Sequence, residues 1–217
     1  MWVRLTTEWR LKLGLGLLLN AVFWSGYQLL SRHAYFPLRE IPLTVLDRAI
    51  TFQPIFWGWI YLSQFVLTGM VPLLLTQRED LWRYVRTVGI MSSLSGVVFV
   101  VFPTSAPARD AAIQTIPMRF LSVADGPLNA MPSLHAAFVV AMILLSRRVF
   151  GSRTLVALGL WGVAILFSTL ATKQHYALDL LAGGVLGWLA DRVAWRGESE
   201  AAMMPVSMEV ASHRGER

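Results

Sequence analysis

The chain has 217 residues, of which 55% are hydrophobic and only 15% charged, with a mean hydropathy of +0.54. So few charges could not cover the surface of a soluble domain, which excludes the ordinary water-soluble globular class and leaves the bilayer to do the covering. The net charge of +6 falls in single basic residues and short clusters between apolar runs, which is a topological pattern and not a nucleic-acid footprint, and the absence of cysteine excludes disulfides and thiolate metal sites.

Six apolar segments approach the ~20 residues needed to cross a ~30 Å hydrocarbon core. The first, Lys12–Leu30, follows Arg4 and Arg10. It is too long for a signal-peptide core and no small-x-small cleavage site follows, so it is expected to stay as an anchor. Asn20 within it is an isolated polar group that needs an interhelical partner. The second segment is Pro54–Leu75, and the third is Val85–Val101, with Ser92, Ser93, Ser95 and Gly96 suited to close helix packing. The fourth, Pro132–Val149, opens in Met131-Pro132-Ser133-Leu134-His135. The fifth is Thr154–Ala171. The sixth, His175–Trp195, opens in His175-Tyr176-Ala177-Leu178-Asp179 and carries the Gly183/Gly187 spacing that lets helices approach closely. Several of the nine tryptophans stand near the ends of these runs, at headgroup level. The pattern predicts an all-α, polytopic membrane protein, a bundle of about six transmembrane helices formed by residues 1–196. Residues 197–217 are polar and lack periodicity, and are expected to form a disordered cytoplasmic tail.

Lys and Arg in alternate connections set the orientation. Arg4, Arg10, Lys12, Arg78, Arg83, Arg86, Arg147, Arg148, Arg153, Arg192, Arg196, Arg214 and Arg217 fall on one side. Arg32, Arg39, Arg48, Arg109, Arg119 and Lys173 fall on the other. The count predicts cytoplasmic termini, with the connections 32–53, 103–131 and 172–174 facing outwards.

The fourth and sixth segments then begin at the same outer face, where two of the chain's four histidines stand. Pro132 suits a first helical turn. The N–H groups around Ser133, Leu134 and His135, with the positive end of the helix dipole, would seat a phosphate, though Ser133 is also a good helix cap. His175 and Asp179 share one helix face. The carboxylate can take the proton on one ring nitrogen and leave the other free to attack phosphorus. A carboxylate one turn inside a membrane span is costly and usually functional. Arg109 and Lys173 are candidate phosphate clamps, a reading somewhat favoured over that of interfacial headgroup anchors.

These motifs resemble those of the type 2 phosphatidic acid phosphatase superfamily, written K-x6-R-P, P-S-G-H and S-R-x5-H-x3-D. The second reads Pro132-Ser133-Leu134-His135. The third reads Ser168-Thr169, Leu170 to Gln174, His175 and Asp179, with its spacing intact. The similarity covers roughly residues 85–190, the catalytic half. It implies that His175 becomes phosphorylated, Asp179 orients it and His135 protonates the leaving group. No Arg-Pro dipeptide occurs. In its place stands Phe102-Pro103-Thr104-Ser105-Ala106-Pro107-Ala108-Arg109, and Thr169 replaces the usual arginine while Lys173 lies two residues before the histidine. The proline-rich first motif ending in arginine, together with Thr172-Lys173-Gln174-His175-Tyr176, is most similar to the inositolphosphotransferase branch, which includes the inositol phosphorylceramide synthases.

The expected activity is that of an integral-membrane lipid phosphatase or phosphotransferase. It would use a phosphohistidine and no metal or other cofactor, with Arg109, Lys173 and Ser133 around the phosphate of a lipid phosphoester. Its active site would lie at the extracytoplasmic face. Three rivals share the sequence: a phosphatidic acid or isoprenyl diphosphate phosphatase with water as acceptor, a non-catalytic transporter or lipid-binding protein, and a degenerate relative that binds lipid phosphate without turnover. The lack of paired, interrupted helices argues against the transporter.

Overall fold

The computed structural model describes residues 2–106, 115–124 and 128–203. In chain order these form α1 (Trp2–Thr6), α2 (Trp9–Arg32), β1 (Arg39–Glu40), α3 (Val45–Ala49), α4 (Pro54–Leu62), α5 (Gln64–Leu74), α6 (Arg78–Val101), β2 (Thr104–Ser105), α7 (Ile116–Ala124), α8 (Leu134–Ser146), α9 (Ser152–Ala171) and α10 (Ala177–Met203). The architecture is an all-α membrane bundle. Trp9–Arg32, Pro54–Leu74, Arg78–Val101 and Ser152–Ala171 are each long and apolar enough to cross a bilayer. The other two expected spans are occupied by α8 and α10. At 13 residues, α8 is about 20 Å long, and α10 carries Asp179, Asp191 and Arg192 along its length. Side chains such as Leu17, Val22, Leu160, Val163 and Leu181 are 64–67% exposed, as expected where lipid completes the packing.

The core explains why so short a helix suffices for α8. It packs against α5, α6, α9 and α10, and Ala136, Ala137, Val139, Ala141, Met142 and Leu145 are buried. A helix enclosed by protein does not have to match the bilayer thickness. Its start differs from the expectation that Pro132 opens the helix. Ser133 is the N-cap, accepting the Ala136 N–H at 3.3 Å through its hydroxyl, and the helix begins at Leu134. The second span is also divided. The Ser63 hydroxyl bonds the Ile60 carbonyl at 2.6 Å and accepts the Trp161 indole N–H at 2.8 Å. This local side-chain bond competes with the helical ladder where α4 gives way to α5.

The ends of α2, α6 and α9 and the starts of α4, α8 and α10 share one end of the bundle. There the connections 32–53 and 103–131 are joined by a short parallel pair, Arg39 with Thr104 and Glu40 with Ser105. Asn129 extends it through a bridge to Thr104. The Thr104 hydroxyl accepts the Met131 N–H at 2.8 Å. The segment leading into α8 is therefore tied down before the helix starts. The helix α7 within the second connection was not expected from the sequence. It lies on α4, with the Pro117 ring against Gly58. Of the expected tail, residues up to Met203 continue α10, and 204–217 lie outside the described residues.

Candidate active site

Two glycines bring the expected site together. An added methyl at Gly183 would fall on the Ser133 carbonyl, and one at Gly187 on the Ala137 carbonyl. Only hydrogen at these positions lets the α8 and α10 backbones lie this close. The Ser133 N–H then donates to the Asp179 carbonyl at 3.0 Å. With the two helix starts fixed to each other, His135 Nδ1 stands 2.9 Å from His175 Nε2. The Ser133 N–H is thus already bonded, and its hydroxyl is fully buried as a cap.

His175 is 6% exposed and Asp179 is fully buried. The imidazole Nδ1 lies 3.2 Å from Asp179 Oδ2, within ion-pair reach but short of hydrogen-bond alignment. The same carboxylate accepts the Tyr176 N–H through both oxygens at 3.1 Å. Asp179 therefore combines two roles: it caps the start of α10 and faces the ring nitrogen that points away from His135. That leaves Nε2 as the nitrogen facing His135.

Lys173 is the second residue of the turn between α9 and α10, with φ of 52°, a left-handed conformation unusual for a side chain of this size. Its ammonium donates to the carbonyls of Asp47 at 2.6 Å and Ile50 at 2.5 Å. Arg109 lies outside the described residues.

Two residues that the sequence reading passed over complete the arrangement. Asp47 is buried, closes a capping box with Thr44 at the start of α3, and accepts the Ala177 N–H at 2.8 Å through Oδ1. It grips the His175 turn twice, by its carboxylate on Ala177 and its carbonyl on Lys173. The Thr44-x-x-Asp47 spacing was a readable cap signal. Tyr61, fully buried on α4, places its hydroxyl 2.9 Å from His135 Nε2 and 3.2 Å from Nδ1. Nothing in an apolar run marks such a tyrosine, beyond the rule that a buried phenol finds a partner.

His135, on α8, and His175, in the turn before α10 and backed by a carboxylate, are a pair whose chemistry suits phosphoryl transfer. A family model of the PAP2 superfamily matches residues 40–192, well over half of the chain. The chain belongs to the PAP2 superfamily. No curated protein and no solved structure matches it. PAP2 membership makes this a phosphatase-type membrane enzyme, whose class acts on lipid phosphates by phosphatase or phosphotransferase chemistry. The match spans His135, His175 and Asp179, and also Asp47 and Tyr61. It leaves out α2, which packs on α6.

Proposed function

We propose that this PAP2 protein cleaves a lipid phosphoester through a phosphohistidine on His175, and passes the phosphoryl-bearing group to a hydroxyl acceptor. The observation that carries the reading is the 2.9 Å contact between His135 Nδ1 and His175 Nε2 beside Asp179. In the resting site this contact closes the space that phosphorus must occupy, so substrate binding replaces it. His175 Nε2 then attacks phosphorus and forms a P–N bond. The ester P–O bond breaks, and the departing lipid oxygen takes the proton from His135. Asp179 stabilises the positive charge that develops on the His175 ring. In the second half, neutral His135 takes the proton of the acceptor hydroxyl. The acceptor oxygen bonds to phosphorus, the P–N bond breaks, and His175 is restored.

Water as acceptor gives free phosphate from a monoester, whereas a lipid alcohol gives a new phospholipid. The finer reading is transfer of a phosphoinositol-type headgroup to an alcohol. It is supported by the resemblance of Pro132-Ser133-Leu134-His135 and Thr172-Lys173-Gln174-His175-Tyr176 to inositolphosphotransferases. We place Arg109 at the phosphate, with Lys173 acting on the site indirectly, through the turn it fixes. The site is proposed to face outwards, in line with the charge count.

The test gives purified protein phosphatidylinositol and phosphatidic acid labelled at phosphorus, with and without an alcohol acceptor. Wild type should yield an acid-labile protein label and product. His175→Asn should lose both while remaining in the membrane fraction. Full turnover by His175→Asn places the nucleophile elsewhere. Hydrolysis alone with acceptor present, giving free phosphate from phosphatidic acid or inositol phosphate from phosphatidylinositol, replaces transferase by phosphatase.

A further inference from the structure

Two cavities flank α2, and both reach Leu134, the residue before the proposed acid. The first, about 340 Å³, runs between α2 and α5 and ends at Leu134, His135 and Phe138. The second, about 260 Å³, runs between α2 and α6 and also reaches Leu134. The helical period of α2 separates them. Leu19, Phe23 and Tyr27, four residues apart on one stripe, border both cavities. Asn20 and Trp24 on one side of that stripe border only the first, and Val22 and Gly26 on the other side only the second. Phe23 is fixed by a stack on Tyr27 and an edge contact with Phe138, so the dividing ridge is a built feature.

Along α2 the first cavity runs from Lys12 to Tyr27, about 22 Å, and the second from Leu19 to Leu30, about 16 Å. One leaflet of a ~30 Å hydrocarbon core is about 15 Å deep, so each groove accepts a chain of membrane-lipid length. The chemistry fixes which end of the substrate lies there. His135 protonates the departing oxygen; the first groove opens at His135 and the second at the adjoining Leu134, while the buried His175 borders neither of them. The geometry points to a forked site for the two hydrocarbon chains of the leaving lipid alcohol, divided by Leu19, Phe23 and Tyr27 of α2. The substrate class is thereby a two-chained lipid phosphoester, and not a single-chained isoprenyl or lysolipid phosphate. This rests on the phosphohistidine reading above, and it gives α2, which lies outside the family match, a role in choosing the substrate.

Glycines in the walls allow each prong to be filled separately. An added Cβ at Gly69, in the first groove, or at Gly89, in the second, meets nothing within 4 Å. Gly14 is equally open and borders neither groove. Phosphatidylinositol and phosphatidic acid, each in two-chain and lyso forms, and an isoprenyl phosphate are offered in detergent micelles to wild type, Gly69→Phe, Gly89→Phe and Gly14→Phe. Wild type should favour the two-chain forms by about tenfold or more in kcat/KM. Each groove variant should erase most of that preference while retaining lyso turnover, and Gly14→Phe should match wild type. Equal wild-type kcat/KM for one- and two-chain lipids, or a preference for the isoprenyl phosphate, overturns the fork whether or not the variants fold. A two-chain preference untouched by both groove variants also overturns it, and leaves the grooves filled by bulk lipid. No turnover of any lipid, with no phosphohistidine, removes the enzymatic reading and the fork with it.

Discussion

At His135 the proton chemistry involves a neighbour from another helix. Tyr61 offers its hydroxyl to the ring at 2.9 Å, and a general acid needs its ring held where the leaving oxygen departs. Tyr61→Phe keeps the ring and removes only the hydroxyl. It should lower kcat about tenfold, with KM little changed, and move the limb of the pH–rate profile that belongs to His135. An unmoved profile would make Tyr61 a packing residue. Lys173 raises the opposite question, because its ammonium already holds two carbonyls. Hydrogen bonds from charged groups contribute about 1.5–3 kcal/mol each way they are lost. Lys173→Gln should therefore lower the melting temperature as well as kcat. Arg109→Lys should instead lose about a hundredfold in rate with no loss of stability, if its guanidinium forks onto phosphate oxygens. Thermal melts read beside kinetics separate a turn-fixing lysine from a phosphate-binding arginine.

Helix seating decides whether the two histidines meet at all. Gly183 and Gly187 face the α8 backbone so closely that a methyl at either position must displace it. Overpacking of this kind costs about 1–3 kcal/mol. Gly187→Ala should lower stability in detergent by that order and reduce turnover by widening the His135–His175 separation. A Gly187→Ala protein with wild-type melting and rate would show that the two helices slide freely. The G-x-x-x-G spacing, the two histidine motifs and the apolar runs were all legible, because each is a local pattern of residue types. The break at Ser63 was not, since it depends on where one hydroxyl finds a carbonyl and an indole. Nor was the short α8, whose apolar run Pro132–Val149 reads as a span although its surroundings are protein. The link from Asp47 to Ala177, 130 positions apart, could not be read from either segment alone; only the cap at Thr44 was visible locally.

Across the whole bundle, charge is sorted by end. Opposite the histidines, Arg83 grips Asp191 with both carboxylate oxygens at 2.7–2.8 Å, buried on both sides. Arg148 lies 3.0 Å from Asp80, and Arg78 lies 3.0 Å from Glu8. Trp195 receives the guanidinium groups of Arg83 and Arg148 at 4.5 and 4.1 Å. These pairings engage three of the basic residues at that end. Insertion, however, responds to Lys and Arg near the span ends and only slightly to acidic residues, so the pairing does not cancel the bias. Thirteen basic residues against six still favour this end as cytoplasmic. The chain lacks cysteine, so one introduced thiol reports alone. Glu40 and Ser152 are exposed at opposite ends of the bundle. In intact cells, Glu40→Cys should react with a membrane-impermeant maleimide. Ser152→Cys should react only after permeabilisation. The reverse result would put His135 and His175 on the cytoplasmic side and make the substrate a lipid of the inner leaflet. Labelling of both from outside would mean that the bundle does not cross the membrane as its helix alternation requires.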